Sequence, residues 1–258
     1  MTITSTKAEK YLESISITTP RPLLRQGPGE AAGEMFKQTQ NQAQLVGSAL
    51  FSFETGVDAA VRQAISDSAL LAQLVANQSA KFEDDPTRWF DIYSNVLLNL
   101  GWVLQESSWM DQTSKGKAAD VHEKIIEVLA AVLAPAATAI AIATAAVNSL
   151  KAMEPNSSWI TLFSRETARA KIAKFQIGFV ETGAQSDVSV RLLACQIVSD
   201  LDVTGVLLFK WKTAQAKFSA KDIKITVNRA GIDELASQVH KKVAAWRDSY
   251  VSSVLNLK

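Results

Sequence analysis

The spacing of apolar positions divides the chain into a helical first half and a strand-rich second half. From Glu30 onward, Met35, Phe36, Leu45, Val46, Ala49 and Leu50 recur at intervals of three, four or seven, which predicts a helix that Thr55-Gly56 ends. A second helix is expected where Val57, Val61, Ile65, Leu71, Leu74 and Val75 share a stripe. Asp84-Asp85-Pro86-Thr87 reads as a helix start, a capping carboxylate followed by proline in the first turn. The helix it opens carries Trp89, Phe90, Tyr93, Val96, Leu97, Leu100 and Trp102 on more than one face, so it belongs in the interior. Ser108 to Lys117 is polar and reads as a loop, and another helix begins near Ala118.

After Glu154-Pro155-Asn156 the period changes to two. Phe175, Ile177 and Phe179 alternate with Lys174, Gln176 and Gly178, and Val188, Val190 and Leu192 with Ser189 and Arg191. The same alternation recurs at Leu207, Phe209 and Trp211, and again at Ile223, Ile225 and Val227. These runs predict four strands joined as an antiparallel meander, because no helix-length segment separates neighbours. Phe175, Ile177, Leu207, Phe209, Ile223 and Ile225 are expected to face the helices, and Lys210, Lys212 and Lys224 to form a solvated face. A final helix starts at about Ile232, with Leu235, Val239, Val243 and Trp246 on one stripe.

The fold class that follows is α+β: N-terminal helices packed on one face of a C-terminal antiparallel sheet, followed by a final helix. A single domain over 1–258 accommodates it, with 1–28 as an extended arm, 29–155 as the helical part and 159–258 as sheet plus helix. Pro20, Pro22, Gly27 and Pro28 punctuate the arm, and a short helix fits at Lys7–Ser14.

Composition narrows the chemistry. Of 258 residues 47% are hydrophobic and 21% charged, an ordinary globular mix, and the formal charge of +1 gives no field for nucleic acid. One cysteine and two histidines, His122 and His240, argue against disulfides and thiolate or imidazole metal sites. Dinucleotide, P-loop, nucleophile-elbow and zinc-protease motifs are absent from the sequence. MTITSTKAEKYLES has no apolar core, so cytoplasmic synthesis without a Sec signal is expected, with membrane association or release to a host by another route.

Two features remain. From Val128 to Leu150, between Glu127 and Lys151, no residue is charged. At about 1.5 Å per residue the segment spans roughly 35 Å, enough to cross a bilayer core of about 30 Å. Its many alanines, Thr138, Thr144, Asn148 and Ser149 dilute the apolar character, and Pro135 interrupts it. A buried helix kinked near Pro135 is therefore expected, with a concealed membrane-active hairpin and a permanent anchor as alternatives. The other feature is Cys195, in Leu192-Leu193-Ala194-Cys195-Gln196-Ile197-Val198, which shares a strand face with Arg191, Leu193 and Ile197. It reads as a small core residue, as a nucleophile served by His122 or His240, or as a thiol carrying a fatty acyl chain in an apolar pocket.

Asp85-Pro86-Thr87-Arg88-Trp89-Phe90-Asp91-Ile92-Tyr93 in the helical half and the single cysteine of the sheet half, with the size and the missing signal peptide, resemble the Erwinia virulence factor family. The likeness covers the layout from about Glu30 to the end. It implies an unusual α/β topology, a role in bacterial persistence in the insect gut, and palmitate covalently linked to Cys195. No catalytic residue and no metal ligand carries over. The functional expectation is a virulence or host-interaction protein, S-palmitoylated on Cys195, that associates with host membranes or sequesters its acyl chain in a tunnel between sheet and helices. An acyl-transfer or thioesterase enzyme with an acyl-Cys195 intermediate and a helical pore-forming toxin using 128–150 are the alternatives.

Overall fold

The structure, a computed structural model, describes residues 2–18, 36–112, 119–183, 187–203, 206, 210–211 and 216–257. Helix α1 (Thr2–Ser14) reaches further toward the N-terminus than the sequence predicts and lays Ala8 and Leu12 into the core. Strands β1 (Gln42–Val46) and β2 (Ala49–Phe53) follow, where helical spacing predicts a helix. Every residue of both strands is buried, Gln42, Gln44 and Ser52 included, so neither face is solvated and no polar-out alternation marks the pair. Gly47 in their two-residue turn has φ +53°, the backbone sense such a hairpin requires at its first central position.

Helices α2 (Ala59–Ser79) and α3 (Pro86–Asn99) lie where the apolar stripes place them. Asp85 caps α3, its carboxylate accepting the Arg88 N–H at 2.9 Å, with Pro86 in the first turn. Strands β3 (Val103–Glu106), β4 (Met110–Gln112) and β5 (Ala119–Asp120) come next, so part of the stretch read as a loop is strand. Helices α4 (Val121–Leu133) and α5 (Ala137–Lys151) contain the uncharged segment, which is interrupted at Pro135 as expected, with the charged Glu123, Lys124 and Glu127 in the first two turns of α4. The rest is α6 (Ser158–Thr167), β6 (Ala168–Arg169), β7 (Ile172–Thr182), β8 (Val188–Ser199), β9 (Lys210–Trp211), β10 (Ala216–Val227), α7 (Arg229–Tyr250) and β11 (Val251–Asn256).

The α+β reading holds: helices precede a sheet built mainly on β7, β8 and β10, and a C-terminal helix follows. The nine-stranded sheet runs β11-β1-β2-β7-β8-β10-β3, with β4 also on β10 and β6 on β7. It is mixed, because β2 and β7 are parallel while β7–β8 and β8–β10 are antiparallel. Gly178 stands opposite Phe51 across the parallel pair, where a Cβ would come within 2.4 Å of the Phe51 ring. The described part of the third alternating run lies outside this sheet. That part, β9, pairs with β5, while Leu207, Phe209 and Lys212 lie outside the described residues.

Helices cover both faces of the sheet, where the sequence reading put them on one. Helices α1, α2, α3 and α7 pack over Ala49, Phe51, Val190, Leu192, Ile223 and Ile225. Helices α4, α5 and α6 pack over Leu45, Phe175, Ile177, Leu193, Cys195 and Phe218. Phe175 and Ile177 therefore face one helical layer and Ile223 and Ile225 the other. Lys174 and Gln176, which alternate with Phe175 and Ile177, are buried for the same reason. Lys224 is exposed as expected.

Candidate functional site: the sheet face around Cys195

Cys195 sits near the middle of β8, opposite Phe175 on β7 and Ala220 on β10. Ala220 in turn stands opposite Met110 on β4, so one row runs from the core at Phe175 to the half-exposed Met110. Leu193 and Ile197, two residues either side, share the face of Cys195. Phe175 packs between Phe163 of α6 (6.2 Å between ring centroids) and Phe218 of β10 (6.3 Å, stacked). Helix α4 lies over β8 and β10, and α5 over β2 and β7. Ala139, Ala143 and Ala146 form the buried stripe of α5, small enough for that helix to approach the sheet closely.

The thiol is fully buried, and burial pushes its pKa well above the ordinary cysteine value. It is a neutral thiol at physiological pH and a poor nucleophile as it stands. Neither histidine serves it. His122 Nε2 is 2.8 Å from Asn148 Oδ1, a contact that closes the base of the α4–α5 hairpin. His240 lies beyond the opposite face, on α7, with Nδ1 2.8 Å from the buried Asp67 of α2. Arg247 also reaches Asp67, so this cluster fastens α7 to α2.

The hairpin's polar tie to the sheet is Arg191. Its guanidinium donates to the Val132 carbonyl near the end of α4 and to Asp222 at 2.9 Å. At the other end of the hairpin, Lys151 approaches Asp120 at 3.8 Å. The turn itself, Ala134 to Thr138, is exposed and uncharged. Of the described concavities, one lies between α2 and α7 beside Leu100 and Trp102, the other on the α1–α7 surface beside Leu12 and Lys241. Both are on the far side of the sheet from Cys195.

The sequence placed Cys195 on an apolar face beside Leu193 and Ile197, and the structure puts it there. It did not bring out the buried polar set around Ser48, Gln73, Lys174 and Gln176, in which the Ser48 hydroxyl is 3.0 Å from both Gln73 Oε1 and Gln176 Oε1. The available signal was Gln and Lys within strands whose neighbours are all apolar.

No protein-family model matches the chain, and no curated protein does. Among solved structures the chain is similar to a delta-endotoxin, at TM-score 0.42 and 12% identity over 81% of this chain and 90% of that one. It is similar also to activated Cyt2Ba monomer from Bacillus thuringiensis subsp. israelensis, at TM-score 0.38 and 15% identity over 70% of this chain and 96% of the other. The Evf virulence factor follows at TM-score 0.27 and 16% identity, over 80% of this chain and 77% of that chain. Likenesses at these scores carry no conclusion about activity.

Proposed function

We propose that the protein is a toxin-like or virulence protein acting at host membranes, with Cys195 as a site of S-palmitoylation and the α4–α5 hairpin as its cover. The observation that carries this reading is the packing of the hairpin, uncharged from Val128 to Leu150, over the sheet face that holds the chain's one cysteine. Because the turn and the span from Val128 to Leu150 hold no charge, the hairpin can exchange water for lipid without taking an ion into hydrocarbon. Among the described residues no helix is long and apolar enough to cross a membrane, so the hairpin would seat in the interface.

Lifting the hairpin would expose Phe175, Ile177, Ile197 and Phe218 together with the thiol. That lining is apolar and suits a fatty acyl chain. Burying such a chain is worth about 0.8 kcal/mol per methylene, on the order of 10 kcal/mol for palmitate before ordering costs. The space is taken by side chains of α4 and α5 in the closed form. Acyl chain and hairpin therefore compete for one surface, and loading Cys195 would displace the cover.

The test is intact-mass spectrometry of protein from its native host, with Cys195→Ser as control, followed by leakage of dye from anionic vesicles. A hydroxylamine-labile fatty-acyl mass on wild type alone, with leakage by the acylated form, is the expected result. Protein that carries no adduct and releases no dye would overturn the proposal.

A further inference from the structure

On the opposite face of the sheet, under α3, one patch breaks the apolar lining. Lys174, Gln196, Ser219 and Asp111 stand opposite one another across β7, β8, β10 and β4, so their side chains share that face. In the neighbouring row Gln176 and Lys221 flank Ala194. Further along the same face the strands present Val188, Val190, Leu192 and Ile225. Trp89, Phe90 and Trp109 form an aromatic plate, with Phe90 5.1 Å from each of the other two ring centroids. Gln176 Nε2, Gln196 Oε1 and Trp109 Nε1 are buried with no partner among the described residues. Each such atom weakens the seat unless water reaches it.

Lys174 is 2% exposed. Its Nζ lies 3.8 Å from the ring centroid of Trp89, 5.0 Å from that of Phe82 and 3.3 Å from Ser48 Oγ. The charged groups that act on it are Glu166 of α6, Arg169 of β6 and Glu83 between α2 and α3. Glu166 is paired with Arg165 at 2.7 Å, and Glu83 with Arg169 at 3.5 Å. Gln73 from α2 and Gln196 from β8 are neutral. Among the described residues, Lys174 is thus an amine sealed under aromatic rings without a carboxylate of its own.

We propose that Lys174 is a proton-sensing latch for α3: uncharged, it lets the Trp89–Phe90 plate seat on the sheet, and charged, it favours the plate's release. This device is independent of Cys195, which lies on the other face. Burial lowers the Lys174 pKa to about 7, opposed in part by Glu166 and Glu83 and reinforced by Arg169. The face of Trp89 attracts the ammonium and keeps the charged form from being excluded altogether. With α3 lifted the amine is hydrated and returns to the ordinary lysine value of 10.5. Between these values the lifted form holds a proton that the seated form lacks. The seated form therefore gains about tenfold per pH unit as pH rises through that window, and gains nothing below it.

The experiment follows lysine side-chain resonances by NMR, and amide-exchange protection of α3 corrected for the intrinsic pH dependence, from pH 6 to 10. One lysine titrating near neutrality in wild type, absent from Lys174→Met and Lys174→Gln, is expected, with α3 protection rising about tenfold per pH unit above pH 7 only in wild type. Two variants are used because the methionine, though apolar, removes the donor to Ser48 Oγ. A wild-type spectrum in which every lysine stays protonated to pH 9, or variants that keep the wild-type pH slope, would overturn the proposal.

Discussion

Arg62 is fully buried, and among the described residues it has no carboxylate partner. Its Nε donates to the Val57 carbonyl at 2.9 Å, and its two terminal nitrogens reach the carbonyls of Gln40 and Glu54 and the side chain of Gln42. Burial lowers its pKa to about 10, so it is charged at neutral pH and held by neutral dipoles alone. Arg62→Met should cost about 3 kcal/mol or more, because several buried acceptors lose their donor together. Arg62→Lys should recover little of that, since an ammonium carries three N–H donors at one point and cannot reach four separated acceptors. Urea unfolding of both variants checks this, and a lysine variant as stable as wild type would contradict it. At Gly178, alanine should cost about 1–3 kcal/mol through its clash with Phe51, read in the same assay. Cys195→Ser places a hydroxyl in a dry apolar row and should cost roughly 1–3 kcal/mol, more than Cys195→Ala. An alanine control is therefore needed wherever the serine variant is used to probe acylation, so that lost stability is not taken for lost function.

At the scale of elements, the α4–α5 hairpin separates fold from activity. Ala137 is exposed at the first position of α5, where the helix dipole tolerates or favours an acidic group. Ala137→Asp should leave the urea midpoint within about 0.5 kcal/mol of wild type. It should nonetheless lower vesicle leakage several-fold, because a carboxylate at an interface-seated turn resists burial below the headgroups and is repelled by anionic lipid. Unchanged leakage would show that this turn does not meet lipid. The elements legible in the sequence are those with one polar face or a chemical punctuation mark. Asp85-Pro86 announced α3, Pro135 split the uncharged segment, and the alternation at 175–179 and 188–192 marked β7 and β8. The failures share a cause. In β1 and β2 both faces are covered, so Gln42, Gln44 and Ser52 are buried among apolar neighbours and the pattern imitates a helix stripe. β10 begins at Ala216, well before Ile223, because Lys217 and Lys221 pair with Asp111 and Glu106 on the same sheet instead of marking a loop. Of the candidate site, the cysteine and its strand face could be read directly. The helices that cover it could not, because no spacing rule says which face of a sheet a distant helix will choose.

For the whole molecule, two helical layers share one sheet but differ in how they are held. The α1–α2–α3–α7 layer is fastened by polar clusters, Asp67 with His240 and Arg247 and Asp58 with Arg229 among them. The α4–α5 layer rests on alanine, leucine, isoleucine and valine, with Arg191 as its tie to the strands. Apolar contact without directional bonds is easier to slide or lift, so the second layer should show the lower exchange protection of the two. The sheet's far edge is completed by β11, whose Asn256 Oδ1 accepts from Gln42 Nε2 at 2.8 Å. Removing Val251 to Asn256 should bare the β1 edge and produce concentration-dependent association, visible by light scattering.

The partners in that last pairing are 214 residues apart. A ribosome adding about 5–20 residues per second releases Gln42 on the order of 10–40 s before Asn256 has been made. Throughout that interval the nascent chain carries an apolar hairpin whose outer backbone groups have no strand to bond. Until β11 is made, the open β1 edge is a surface that a holdase could shield, and the yield in an expression host should rise when holdase supply is raised.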